Sequence, residues 1–323
     1  MARILTGIQS TGTPHLGNIL GAIKPAINLA NDPLNDSFLF IADMHSLTQI
    51  KDGEKLRNNT YAVAATWMAF GLDTSRSVFY RQSDVPEVTE LAWYLQCLFP
   101  YSRMTLAHSF KDKSERLEDV NAGLFSYPML MAADILLYDA EKVPVGKDQM
   151  QHLEMTRDVA SRFNHKFGET LVLPEILTSE STMYVPGTDG GKMSKSQNNT
   201  INIFDDAKTL KKVINKQLVT DATSLEDPKN PDLAVVYNLY KLIASESEAQ
   251  EMANALRAGG YGWGHAKKAL LDAIVDGFSS ERERFNDLMS HREEIDIALE
   301  QGAERARLEA SKVLSRVRGK VGF

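Results

Sequence analysis

The chain has 323 residues, 43% of them hydrophobic and 24% charged, with a formal net charge of −7; this describes a globular α/β-sized protein of about two domains. No stretch approaches the roughly 18–20 apolar residues of a membrane-crossing helix, and the N-terminus lacks the charged start, apolar core and cleavage site of a signal peptide. The only cysteine, Cys97, excludes an internal disulfide or a cysteine-based zinc cluster and suits a reducing cytoplasm, while the acidic balance confines any nucleic-acid contact to local basic patches.

Residues 3–8 read as a short buried strand. A polar loop follows, Gln9-Ser10-Thr11-Gly12-Thr13-Pro14-His15-Leu16-Gly17-Asn18, and then a helical pattern with Leu20, Ile23 and Ile27. Strand, loop and helix in this order place unpaired helix N–H groups beside the end of a parallel strand, where phosphates bind. Gly17 lets an adenine or a phosphate approach the backbone, and His15 and Asn18 can hydrogen-bond phosphate oxygens; otherwise His15 is a loop histidine without a role. Pro25 removes a helical hydrogen bond and predicts a bend near 21–25.

Residues 37–42 read as a second buried strand ending at Asp43-Met44-His45-Ser46. Strand ends face the ligand crevice in such sheets, so His45 is a candidate pocket residue. A helix is predicted over 54–70, with Leu56, Val63, Trp67 and Phe70 on one face and Gly71 stopping it. A third strand spans 77–82, and a helix over 86–98 is expected to use Trp93, Leu95 and Cys97 for packing. The charged run 111–116 reads as a solvated connection.

Residues 127–138, from Tyr127 to Tyr138, form a nearly all-apolar helix with a single carboxylate, Asp134. A buried carboxylate is costly unless something donates to it. Met131 and Asp134 share a helix face, and a thioether wall with one acceptor suits a ring that is apolar except for one N–H. Indole is such a ring, donating and never accepting; the alternative is an aspartate satisfied by the backbone or a lysine. In Val143-Pro144-Val145-Gly146-Lys147-Asp148-Gln149 the valines can line an apolar pocket, and Gly146, Asp148 and Gln149 can face ribose and amino acid. His152 beyond them reads as structural.

The strongest local signal is Gly190-Gly191-Lys192-Met193-Ser194-Lys195-Ser196. Two glycines, two lysines and two serines can wrap an anion with ammonium, hydroxyl and N–H groups; the alternative is a solvated surface loop. After residue 200 the pattern is helical. Asp205-Asp206 opens a helix with Lys208, Lys211 and Lys212 on one face, Asp232 opens another, and Ser245 with Glu248 forms a capping box. A glycine-rich loop at 259–264 precedes a helix over 265–278. The last 21 residues hold Arg305, Arg307, Lys312, Arg316, Arg318 and Lys320 against Glu304 and Glu309, a local balance of six minus two, or +4. That suits an RNA backbone or merely the basic face of an amphipathic helix.

His15-Leu16-Gly17-Asn18 resembles the first signature of class I aminoacyl-tRNA synthetases in its HxGN form, and Lys192-Met193-Ser194-Lys195-Ser196 resembles the second. The segments 7–12, 131–138 and 143–149 extend the resemblance to the tryptophanyl-tRNA synthetase family, over essentially the whole chain. It implies an α/β fold: a Rossmann-like parallel sheet with helices, of the HUP nucleotide-binding type, over 1–200. This part includes a connecting insertion at about 100–145 and is followed by an all-helical tRNA anticodon-binding domain over 201–323. The implied activity is ATP-dependent activation of L-tryptophan to the adenylate, with release of pyrophosphate and transfer to tRNA(Trp), in a cytoplasmic homodimer joined through the insertion.

By the same resemblance, Lys192, Lys195, His15 and Asn18 are catalytic. Gln9, Ser10, Thr11, Gly17, Gly146, Lys147, Asp148, Val185, Met193, Ser194 and Ser196 join them around ATP. Asp134, Met131, Leu5, Gly7, Gln9, His45, Val143, Val145 and Gln149 receive tryptophan. Lys111 or Lys113 meets a phosphate, and Mg2+ is held by ATP rather than by a protein metal site. Two departures stand out: Leu5 replaces an indole-stacking phenylalanine of some relatives, and the arginine that many bacterial relatives carry near Met183 or Tyr184 is missing. A tyrosyl-tRNA synthetase and a non-catalytic nucleotide- or amino-acid-binding paralogue are the rival readings.

Overall fold

Five parallel strands form one sheet: β1 (Ala2–Ile8), β2 (Asn35–Ile41), β3 (Val78–Arg81), β4 (Lys142–Val145) and β5 (Glu175–Thr178), in the order β3-β2-β1-β4-β5. The computed structural model describes residues 1–106, 120–146, 149–178 and 184–323. Strand order reverses at β1, which pairs with β2 on one side and β4 on the other. This is the switch point where ligands enter open parallel sheets, at the strands' C-terminal ends. β2 is buried along Ser37–Ile41, as an interior strand covered on both faces must be.

The described α-helices are α1 (Leu16–Asn18), α2 (Lys24–Asn31), α3 (Asp43–Ser46), α4 (Gly53–Ala69), α5 (Glu87–Leu98), α6 (Tyr101–Met104), α7 (Ala122–Leu136), α8 (Met150–Phe167), α9 (Ala207–Gln217), α10 (Val235–Tyr240), α11 (Glu246–Ala258), α12 (Trp263–Gly277), α13 (Ser279–Ser290) and α14 (Glu293–Val321). Asp52 caps α4 by accepting from the N–H groups of Glu54 and Lys55, and Gly71 follows the helix at φ +85°. Where a bend was expected near 21–25, the chain forms a π-helical stretch, Ile19–Ile23, directly before α2. Pro25, which has no N–H to donate, is the second residue of α2 and follows that π-helical stretch without a break.

Two compact units divide the chain. One contains Met1–Gly12, Ala26–Glu180 and His291–Phe323; the other contains Thr13–Pro25 and Ser181–Ser290. The units do not follow a cut at residue 200, because α14 belongs with the sheet and the 13–25 segment with the later helices.

In the sheet unit the core joins Leu5, Phe38, Phe40, Val78 and Tyr80 from the strands to Leu91 and Leu95 of α5, Met129 and Leu136 of α7, and Val159 and Phe163 of α8. α5 packs through Val88, Leu91, Ala92 and Leu95. This corrects the expectation for Trp93 and Cys97: one turn apart, they share the opposite face, and Trp93 is 64% exposed. α14 runs against β3 with a small-residue stripe of Ala298, Gly302, Ala303, Ala306 and Ala310. A β-carbon on Gly302 would lie 1.7 Å from the Phe79 carbonyl oxygen, so only glycine permits this approach.

α14 also changes the reading of the basic C-terminal run. Arg305 donates to the carbonyls of Ser75, Arg76 and Ser77. Arg307 pairs with Glu87, Lys312 with Glu309, Arg316 with Asp139 and the Thr170 carbonyl, and Arg318 with Glu90. Five of the six cations counted from sequence therefore already have partners within the sheet unit. Charge counting along a sequence cannot see acceptors that lie more than a hundred residues away.

In the second unit α11 begins at the predicted capping box of Ser245 and Glu248, and Asp206 caps α9 through the Thr209 N–H at 2.8 Å. The helix expected at Asp232 begins later: 231–233 form a 3-10 turn capped by Asn230, and α10 starts at Val235.

Candidate active site

The lysine loop runs on from the second arm of a small hairpin whose tip is 187–191. Pro186 and Lys192 form an antiparallel bridge, and Gly190 turns the chain at φ +86°. The buried amide of Asn199 holds the hairpin together from within. Its nitrogen donates to Asp189 Oδ1 at 2.8 Å and to the Lys192 carbonyl at 3.1 Å, and its oxygen accepts the Ser194 N–H at 2.7 Å. A β-carbon on Gly187 would lie 2.3 Å from that amide, so glycine is required there too. Asp189 also accepts the Gly191 N–H at 2.9 Å, and the hydrogen bond from Asn199 holds its carboxyl below the usual range. Lys192, Lys195 and Ser196 are left exposed on this frame, with Ser194 half-buried. Asn199 was not singled out from sequence; its signal was an asparagine just beyond the serine–lysine run, in a position that could turn back onto the loop's backbone.

The first signature packs onto this hairpin. His15 caps α1: its Nδ1 accepts the Asn18 N–H at 3.3 Å, while Asn18 Oδ1 accepts the His15 N–H at 3.2 Å. Gly17 donates its N–H to Met193 Sδ at 3.2 Å, and a β-carbon on Gly17 would meet the His15 ring at 3.0 Å and Met193 Cβ at 3.1 Å. Met193, itself buried, is thus the peg between the two signatures rather than a ligand-facing group.

The electrostatics follow from this packing. Burial, reinforced by the nearby Lys195 ammonium, lowers the His15 pKa to about 4. With Nδ1 occupied as an acceptor, neutral His15 carries its proton on Nε2 and is a hydrogen-bond donor rather than a cation. Lys195 is exposed as a residue, but surrounding protein removes part of its ammonium's water and lowers its pKa to about 8. An incompletely solvated ammonium beside a neutral N–H donor favours an incoming polyanion, whose charge would replace the lost hydration.

A second constellation stands at the strand ends of the sheet unit. Asp134 on α7 is 3% exposed. His45 Nε2 lies 2.9 Å from its Oδ2, and Gln82 Nε2 donates to Oδ1 at 2.8 Å and to Oδ2 at 2.9 Å. The Gln82 oxygen in turn accepts the His45 N–H at 3.3 Å. Burial pushes the Asp134 carboxyl up, and the bonds from His45 and Gln82 oppose that rise. Asp43 anchors the neighbourhood by accepting from the Ser83 N–H at 3.0 Å and hydroxyl at 2.5 Å. Tyr127, edge-on to His45, shares a 2.7 Å hydrogen bond with the buried His152.

The predicted site residues sort clearly. His15, Gly17 and Asn18 come together with Met193 and Lys195 in one unit, and His45 comes together with Asp134 in the other. Met131 and Val145 are half-buried against the core, while Leu5 and Val143 are buried within it and act as backing. Gly7 is exposed, and a β-carbon there would strike the Phe40 ring at 2.4 Å. Gln9, Thr11, Gly146 and Gln149 are half-buried at strand ends or the turns beyond them, and Val185 is buried. Ser10 is corrected: fully buried, it gives its N–H and hydroxyl to Ser46 Oγ at 3.0 and 3.1 Å, which fixes the loop instead of leaving a group for ligand. Tyr184 donates to the Gly190 carbonyl at 3.0 Å. Lys111, Lys113, Lys147, Asp148 and Met183 lie outside the described residues. Gln82 was missed, although the strand-end argument that selected His45 applies equally to it.

A family model described as tRNA synthetases class I (W and Y) matches residues 1–279. The tryptophan–tRNA ligase of Neisseria meningitidis is 45% identical over 330 aligned residues, covering 99% of this chain and 98% of that protein. That of Rhodopirellula baltica is 46% identical and covers 99% of both. Among solved structures, the tryptophanyl-tRNA synthetase of Campylobacter jejuni complexed with ADP and tryptophan matches with a TM-score of 0.94 and 43% identity, covering 99% of this chain and 100% of that one.

Proposed function

This chain belongs to the class I tRNA synthetases of the tryptophan and tyrosine group, and from that premise we propose that it is a tryptophan–tRNA ligase working through the two constellations described above. A tryptophan carboxylate oxygen attacks the α-phosphorus of ATP in line, the bond to the bridging oxygen breaks, and pyrophosphate leaves. The terminal ribose hydroxyl of tRNA(Trp) then attacks the activated carbonyl carbon and AMP leaves. No enzyme nucleophile is needed, so positioning and charge stabilisation carry the rate.

The observation that carries this reading is the seating of the first signature on the second, with the Gly17 N–H on Met193 Sδ and Lys195 beside His15. Lys192 and Lys195 neutralise charge developing on pyrophosphate, assisted by the Ser194 and Ser196 hydroxyls. His15 donates from Nε2 to a phosphate oxygen, and Asn18, Gln9 and Thr11 hold further oxygens. From the resemblance, Gly17 and Val185 are assigned to the adenosine, and Gly146, Lys147 and Asp148 to the ribose. This donor set of ammonium, hydroxyl and N–H groups suits phosphate oxygens rather than a metal, so Mg2+ enters with ATP and stays on its phosphates.

For the amino acid, Asp134 accepts the indole N–H on a lone pair that His45 and Gln82 leave free, since a carboxylate can accept about four hydrogen bonds. Met131 and Val145 wall the ring, Leu5 and Val143 back it, and Gly7 leaves room beside it. Gln149 takes the amino group. In this reading the anticodon-binding role implied for 201–323 belongs to α10–α13, because five of the six cations of α14 are already paired. A homodimer is supported by the large apolar side chains left exposed around the insertion: Trp93, Tyr101, Leu106 and Val120. A cytoplasmic setting is supported by the lone thiol, and among the described residues no helix is long and apolar enough to cross a membrane.

Exchange of labelled pyrophosphate into ATP, run separately with tryptophan and with tyrosine, tests the reading. Exchange with tryptophan alone is expected. Comparable exchange with tyrosine favours the rival specificity, and exchange with neither favours a non-catalytic paralogue.

The pH dependence follows from the free loop. kcat/KM for ATP reports the unliganded enzyme, in which the Lys195 ammonium loses its proton near pH 8. kcat/KM should therefore fall as pH rises through about 8, and Lys195→Arg should remove that descending limb, because a guanidinium stays protonated. A wild-type profile flat from pH 7 to 9.5 would assign the catalytic charge elsewhere.

A further inference from the structure

The turn that carries Lys195 is closed at its neck by one side chain. Ser194 opens the turn in extended conformation, 195–197 form a 3-10 turn, and Asn198 reverses the chain in the left-handed region at φ +52°. Asn199 then returns to the start of the turn, where its Oδ1 accepts the Ser194 N–H at 2.7 Å. The same amide donates to the Lys192 carbonyl at 3.1 Å. Lys192 and Ser194 flank Met193, so one amide bonds the carbonyl before Met193 and the N–H after it. A residue of a parallel strand makes this pair of bonds with its main chain; here a side chain takes the place of a strand. On the other side the Met193 N–H donates to the Val185 carbonyl at 3.1 Å, and Met193 Sδ accepts from Gly17. Met193 is thus held from three directions, and Lys195 follows two residues later.

The pin is itself fixed. Asn199 is 2% exposed, and its second amide hydrogen goes to Asp189. Its carbonyl accepts the Thr188 N–H at 2.9 Å. Two residues on, the Ile201 carbonyl accepts the Leu16 N–H at 2.9 Å, which fastens the same stretch to the first signature. All of these groups belong to one unit. Lys195, by contrast, has no carboxylate partner among the described residues, and surrounding protein alone lowers its pKa to about 8. With a flexible stem and no ion pair, its ammonium stands where the backbone turn sends it.

We infer that Asn199 is a positioning residue for amino-acid activation: by closing the Lys195 turn onto Met193, it sets where the ammonium stands beside His15 before ATP arrives. The inference rests on the ligase reading for the reaction, whereas the placement of Lys195 can be tested without it. Asn199 acts only through Lys195 and touches no substrate. Misplacing a reacting or charge-stabilising group by about 1 Å can cost on the order of 10²-fold in rate, so the amide governs turnover and leaves tryptophan binding alone.

The test has two arms, both on the full chain. The first follows the acetylation of Lys195 by trace acetic anhydride against pH, read by peptide mass spectrometry. In the wild type the rate should reach half its limit near pH 8. His15, with a pKa of about 4, stays neutral across this range. In Asn199→Ala the midpoint should move up toward the ordinary lysine value of about 10.4, because an open turn returns the ammonium to water. Asn199→Asp keeps an acceptor for Ser194 but loses both donors and sets a carboxylate against Asp189. It should shift the midpoint likewise, and adding Asp189→Asn should draw it part of the way back by restoring a donor across that pair.

The second arm is tryptophan-dependent pyrophosphate exchange. Asn199→Ala should lower kcat by about 10–10²-fold, with KM for tryptophan within about twofold of the wild type. Combined with Lys195→Ala, it should be no slower than Lys195→Ala alone, since two residues that act as one unit do not add. An unchanged Lys195 midpoint in Asn199→Ala, an unchanged kcat, or losses that multiply in the double variant overturns the inference. If Asn199→Ala does not fold, Asn199→Asp with and without Asp189→Asn decides by the same shift and its partial reversal. A wild type without exchange whose Lys195 midpoint still moves in Asn199→Ala overturns the ligase reading and supports the placement.

Discussion

Replacing Lys195 with alanine is expected to lower kcat for tryptophan-dependent pyrophosphate exchange by about 10²–10³-fold, the scale for removing one preorganised charge-stabilising group. Tryptophan affinity should change by less than about twofold, because the lysine acts on charge that grows only as pyrophosphate departs. The structure explains why Lys195 should outweigh an ordinary surface lysine. Surrounding protein partly strips its ammonium of water before any ligand arrives, which lowers its pKa to about 8, and it stands beside a histidine kept neutral. Binding a polyphosphate restores to that charge what burial removed. Presteady-state measurement of adenylate formation, with tryptophan binding followed separately, checks the split. Equal losses in both quantities would mean that the residue holds the ground state instead.

The second large effect is at Asp134. Asp134→Ala should lower kcat/KM for tryptophan by about 10²-fold or more and erode the preference over tyrosine and phenylalanine, with the KM for ATP little changed. A site built around one hydrogen bond discriminates by up to about 10⁴–10⁵-fold. The same substitution strands the His45 and Gln82 donors in a buried setting, at a cost of about 1–3 kcal/mol in stability. Asp134→Asn separates the two effects, since it keeps the volume but faces its neighbours with an NH2. Competition assays with the three amino acids decide the matter. An alanine variant that still prefers tryptophan as strongly as the wild type would remove Asp134 from the role of indole acceptor.

The short polar loops at 15–18 and 190–196 were readable from sequence because their chemistry is local: a cap, a close glycine and paired ammonium groups need few partners from elsewhere. Their sulfur peg was not, since nothing in Met193 alone announces that its thioether accepts the Gly17 N–H. Asp134 was correctly singled out as an acid in apolar surroundings; backbone or lysine donors were the alternative to an indole N–H, and the protein donors are instead His45 and Gln82. These sit at the ends of two neighbouring strands, so only knowledge of strand order brings them to one helix. Ser10 illustrates the reverse error: a hydroxyl in a phosphate-type loop looked available, but Ser46 consumes it. Trp93 and Cys97 were misplaced because hydrophobicity was read without phase, and the helix turns both outward.

α14 has a consequence for synthesis of the protein. β3 is an edge strand, and edge strands left open invite pairing with other chains; here Gly302 presses against Phe79 to cover it. The cover lies more than two hundred residues downstream of the strand it protects. All five strands are synthesised before residues 293–321, so α14 can cover the β3 edge only after that helix has cleared the exit tunnel. The edge that is exposed in the interval is the kind of surface on which incomplete chains associate, so a chain truncated before residue 293 is expected to aggregate more readily than the full chain.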